Sequence, residues 1–217
     1  MRYILFFLLL TFSLSAQEDL PFAGEVKQIH EHTTTVWDSS KPTIVFTGSS
    51  SVRLWKDLQD RFPDKQILNT GFGGSQSSDL EHYLDELILY YNPDQVFIYE
   101  GDNDISSKRR PKAIEGTMKD IIKELHRQRP QMEIVLISAK PSISRWHLKR
   151  RYKRLNKRLN KLASEIKNVR YADVWSVMTN KRKLKTNLFI EDGLHMNQQG
   201  YDLWYDVIKD YVNKKTL

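Results

Sequence analysis

The chain has 217 residues, no cysteine, and 34 Lys and Arg against 27 Asp and Glu, a net charge of +7. That length suits one domain with a sizeable core, and the missing cysteine excludes disulfides, thiolate metal ligands and a lipid-modified cysteine. The positive surplus is local: eleven Lys or Arg and one Glu lie between Arg145 and Arg170.

Residues 1–16, "MRYILFFLLLTFSLSA", pair a basic Arg2 with an apolar run from Tyr3 to Phe12 and then small residues, the pattern of a signal peptide. The run is short for a bilayer span and no second one follows, so the protein is expected to be periplasmic or secreted, without stable membrane insertion after cleavage. Residues 17–40 read as a leading helix, with Phe22, Val26 and Ile29 on one side, and a lead-in loop. His30 and His32 in "HEH" face different ways on such a helix and find no third ligand, so no metal site is expected.

Residues 41–217 read as one domain. Five apolar, β-branched runs predict strands at 43–48, 66–71, 95–101, 133–140 and 169–174. Helices are expected between them at 51–61, 76–91, 112–129 and 146–167, with a last one at 197–213. In the fourth of these, Leu148, Tyr152, Leu155, Leu159, Leu162 and Ile166 recur at spacings of three and four. The basic run is therefore expected to be the solvated side of an amphipathic helix rather than a nucleic-acid surface. An anionic partner such as an acidic polysaccharide stays open as the alternative. Strict strand–helix alternation with strands apolar on successive residues predicts an α/β fold: a parallel, doubly wound sheet with helices on both faces.

Ligands of such sheets sit at the carboxyl ends of the strands. Four polar loops fall there: "TGSSSV" after the first strand, "NTGFGGSQ" after the second, "EGDND" after the third and "DGLH" after the fifth. Taken singly, the Ser cluster is N-cap chemistry, and Asp192 three residues before His195 is a turn. The Gly-Lys-Ser/Thr of a P-loop, a GxGxxG after the first strand and the second Gly of a GxSxG elbow are all missing. Taken together, the loops supply acyl transfer through serine: Ser50 as nucleophile, His195 as base and Asp192 to orient it. The backbone N–H groups of Ser50 and Gly74 and the Asn103 amide can serve as donors to the oxyanion. Asp102, beside Asn103, is expected to matter less.

"FTGSSSVRLW", "NTGFGGSQ", "EGDND" and "DGLHMNQQGY" resemble, in order, the four sequence blocks of the SGNH hydrolases, the GDSL lipase/esterase superfamily, over residues 46 to 201. The resemblance extends to platelet-activating-factor acetylhydrolase-like proteins and bacterial carbohydrate acetylesterases. It implies a three-layer α/β/α sandwich around a five-stranded parallel sheet, flavodoxin-like in order, and a serine esterase with no cofactor. By position it implies Ser50, Asp192 and His195 as the triad and Ser50, Gly74 and Asn103 as the oxyanion hole. Two positions depart from the pattern: Ser49 stands where the family has the Asp of GDS, and Ser75 where an Asp often follows the second block's glycines. Asp104 matches the pattern, in a supporting role. The expected substrate is a small-molecule or saccharide ester carrying a short acyl group. A lysophospholipase or thioesterase on the same triad, and a catalytically weak saccharide-binding module, are the alternatives. Nothing in the sequence speaks to oligomeric state.

Overall fold

A computed structural model describes residues 20–213, so the expected signal peptide lies outside the described residues. In chain order the elements are α1 (Ala23–Val36), β1 (Thr43–Gly48), α2 (Ser50–Arg53), β2 (Gln66–Asn69), α3 (Ser77–His82), α4 (Leu84–Leu87) and β3 (Gln95–Tyr99). There follow α5 (Asp102–Ser106), α6 (Pro111–Gln128), β4 (Glu133–Ile137), α7 (Lys149–Glu165), β5 (Val169–Ala172) and α8 (Val174–Val177). A small hairpin, β6 (Thr179–Asn180) and β7 (Lys183–Leu184), and the long α9 (Gln198–Asn213) complete the fold.

The five strands pair in the order β2-β1-β3-β4-β5, and every pair is parallel. In the central β1, β3 and β4 successive residues are buried on opposite faces, which is why these runs read as continuously apolar rather than alternating. Val45, Val96, Ile98, Ile134 and Leu136 face a core built with α1, α3, α4, α6 and α7. Ile44, Phe46, Phe97, Tyr99, Val135 and Ile137 face a second core with α2, α8 and α9. This is the three-layer α/β/α architecture with the flavodoxin-like strand order. In α7, Tyr152, Leu155, Leu159 and Leu162 are buried, so the apolar stripe does face the core.

Two expected helices and four expected strands differ. The helix expected over 51–61 is only Ser50–Arg53 long. Beyond it, single turns close from Leu58 N–H to Trp55 O, Arg61 to Asp57 and Phe62 to Gln59. Trp55, Leu58 and Phe62 are still buried, because consecutive turns meet the same three-to-four-residue apolar spacing as a helix. The helix expected over 76–91 breaks at Tyr83 and Ile88, whose backbones leave helical dihedrals. β2 to β5 stop two or three residues short of their runs, and Gly101, at the tail of the third, caps α5 instead.

Candidate active site

Ser50 and Asn103 lie just beyond the carboxyl ends of β1 and β3, Gly74 lies in the loop after β2, and Asp192 and His195 lie in the long connection from β5 to α9. β1 ends at Gly48, whose φ of 114° places it where a Cβ would lie 2.1 Å from the Tyr99 carbonyl oxygen. Only glycine lets β1 approach β3 this closely. Ser49 N–H then donates to that carbonyl at 3.0 Å, and the chain turns at once into α2. Ser50, half-buried, is the first residue of that helix, so its N–H has no intrahelical partner.

Ser50 Oγ lies 2.9 Å from His195 Nε2, across 145 residues of sequence. The other ring nitrogen, Nδ1, meets Asp192 Oδ2 at 2.5 Å. A carboxylate only accepts, so Nδ1 carries the proton and Nε2 presents its lone pair to the serine hydroxyl. Asp192 Oδ1 accepts the Leu194 and His195 N–H groups at 2.8 and 2.9 Å, fixing the turn that carries the ring. Partial burial alone would push the Asp192 carboxyl up. The His195 side chain and the two N–H groups outweigh it and hold the carboxyl at about 2, so the group stays ionised at neutral pH.

Gly74 has a φ of 81°, and nothing lies within 4 Å of where its Cβ would sit. The preceding Gly73 N–H is anchored by Glu25 Oε1 of α1 at 2.9 Å. Among the described residues, neither the Ser50 nor the Gly74 N–H donates to another group of the protein. The amide of Asn103 bridges the loops after β1 and β2. Its Nδ2 donates to Ser49 Oγ at 2.8 Å and to the Ser75 carbonyl at 2.9 Å, so both of its hydrogens are engaged beside Ser50. Asp104 accepts from Ser77 N–H and Oγ and from Arg109, joining the start of α3 to α5.

Asp102 stands beside Asn103 at the start of α5. It is buried, and its carboxylate accepts from Tyr99 OH at 3.0 Å and from Tyr152 OH. It also pairs with Arg145 at 2.6 Å and stands 3.6 Å from the Lys140 ammonium. Burial pushes its carboxyl up, but the two cations outweigh that and hold it below the usual aspartate range. Four further residues at the site escaped the sequence reading: Glu25, Glu100, Lys140 and Arg145. Lys140 Nζ donates to the Leu194 carbonyl at 2.6 Å, and Arg145 donates to Asn103 Oδ1. Glu100 accepts from Ser75 Oγ at 2.6 Å, so the hydroxyl in place of the family's Asp is tied to a buried acid. The one usable signal was charge within otherwise apolar strand ends, in "YEG" and "SAK".

Comparison with known proteins identifies the family. The model of the GDSL-like Lipase/Acylhydrolase family matches residues 33–203, and no curated protein matches the chain. A solved Streptococcus pneumonia protein named after platelet activating factor is 27% identical, covering 87% of this chain and 93% of its own, with a TM-score of 0.76. A GDSL-like lipase from Bacteroides thetaiotaomicron is 19% identical over 86% of this chain and 96% of its own, with a TM-score of 0.72. An acetylxylan esterase from Geobacillus stearothermophilus, solved as a catalytic mutant, is 16% identical over 80% and 95%, with a TM-score of 0.68. The chain belongs to the GDSL-like lipase/acylhydrolase family.

Proposed function

We propose that this protein is an exported serine esterase that removes short acyl groups, acetyl foremost, from carbohydrate esters. One observation carries the reading: the unbroken relay Ser50 Oγ, His195 Nε2, His195 Nδ1, Asp192 Oδ2, with steps of 2.9 and 2.5 Å. Ser50 Oγ adds to the ester carbonyl as its proton passes to Nε2. The imidazolium, steadied by Asp192, returns that proton to the departing alcohol, leaving an acyl-serine that water opens by the same route. The Ser50 and Gly74 N–H groups face the developing oxyanion. Asn103 joins them by exchanging the Ser49 hydroxyl for the oxyanion, a stronger acceptor because it is charged.

An open site supports a bulky alcohol portion: the Asp192 and His195 side chains are 42% and 23% exposed. The acetylxylan esterase with the same fold is consistent with acetylated saccharide. A second reading, a lipid ester, is favoured by Ile143 and Ile190, which are 44% and 49% exposed. Both flank the His195 loop, since Ser144 N–H donates to Gly193 O and Ile190 N–H to His195 O. Turnover of p-nitrophenyl esters of increasing chain length, beside acetylated xylo-oligosaccharides, tests the choice. Preference for acetyl supports the first reading. Preference for long chains would replace it with the second.

A further inference from the structure

Asn103 has a side chain whose two ends must not be exchanged: only the nitrogen can donate to an oxyanion. Its oxygen accepts from both terminal nitrogens of Arg145, each at 3.1 Å. A guanidinium donates and never accepts. Rotating the amide by half a turn would set its N–H groups against those of Arg145, donor against donor. The nitrogen is thereby held toward Ser49 and Ser75, on the side where Ser50 and Gly74 lie.

Arg145 is itself held. One of its nitrogens donates to Asp102 Oδ1 at 2.6 Å, and Asp102 precedes Asn103 in α5. Arginine and amide are thus fixed to neighbouring residues of one short helix. Arg145 comes from the loop between β4 and α7, outside all four sequence blocks. A cation on the amide oxygen also polarises the amide and strengthens its N–H as a donor.

We infer that Arg145 is a positioning residue that sets the orientation and donor strength of Asn103, an inference that rests on the hydrolase reading above. It acts through Asn103 and contributes where charge develops. Its loss lowers kcat and leaves KM nearly unchanged.

The test is a double-mutant cycle on the full chain with p-nitrophenyl acetate, each variant checked by thermal unfolding. Removing an oxyanion donor lowers kcat by about 10²–10³. Removing only its clamp, in Arg145→Met, is expected to lower kcat by about 10-fold or more with KM within about 3-fold. Arg145→Lys keeps a cation for Asp102 without the two-pronged grip and should recover only part of the rate. It also carries the cycle should Arg145→Met fail to fold. In the Asn103→Ala background, neither Arg145 substitution should lower kcat further. Additive losses in an active enzyme, or a rise in KM alone, overturn the role of Arg145 while leaving the hydrolase reading intact. Absence of both wild-type turnover and a fluorophosphonate adduct on Ser50 overturns the hydrolase reading, and this role with it.

Discussion

The buried ammonium of Lys140 donates to the carbonyl of Leu194, the residue before His195, at 2.6 Å. Lys140 follows β4, so a charge fixed to the sheet anchors the loop that carries the imidazole. Burial holds this lysine below its ordinary range, opposed by the Asp102 carboxylate. Lys140→Met would retain the aliphatic bulk but leave the part-buried Leu194 carbonyl without this donor, at about 1 kcal/mol. Lower stability in denaturant melts and a lower kcat are expected together. Unchanged values for both would show that the loop needs no such anchor.

Asp102 balances two cations at once, Lys140 and Arg145. Removing one partner of a buried ion network typically costs about 3–5 kcal/mol, because the other charges stay uncompensated. Asp102→Ala is therefore expected to be the most destabilising single substitution in the first turn of α5, exceeding Asn103→Ala in urea unfolding. Equal midpoints for the two variants would contradict it.

How far the sequence anticipated the structure follows from which forces act locally. The strands were legible because burial on both faces leaves an unbroken apolar run. Ser50 was legible because it follows a strand end directly, and Asp192 and His195 because they share a polar turn before the last helix; the structure brings the three within hydrogen-bonding distance. The helix expected over 51–61 was not, since Trp55, Leu58 and Phe62 satisfy helical spacing in a chain of turns. Arg145 was hidden at the head of a basic run whose other members are mostly solvated. Lys140 and Asp102 meet across 38 residues, and no local pattern encodes which distant charges will neutralise one another.

Glu100 is 1% exposed. Among the described residues, its Oε2 has no hydrogen-bond partner. Burial pushes its carboxyl well above the usual glutamate range, and the nearby Asp104 and Asp79 carboxylates add to this, while Ser75 opposes it. For an acid raised in the folded state, the stability contribution is complete below the unfolded pKa and is lost as pH rises through the folded one. The melting temperature should therefore decline from about pH 5 to about pH 9 more steeply in the wild type than in Glu100→Gln, which cannot ionise. Parallel profiles would show that burial does not raise the Glu100 carboxyl above its value in the unfolded chain.

Export rests on the basic, apolar and small-residue order of residues 1–16. Protein recovered from its native host should begin near Gln17 by mass spectrometry. A retained Met1 would contradict it.

The nucleophile is the claim on which the rest depends, and covalent capture tests it most directly. After treatment with a fluorophosphonate, peptide mass spectrometry should place a single adduct on Ser50. That adduct should be absent in Ser50→Ala and formed far more slowly in His195→Ala. Ester turnover should fall by about 10³-fold or more in both, because nucleophile and base act as one unit. An adduct on another residue, or wild-type turnover in purified Ser50→Ala, would contradict the assignment.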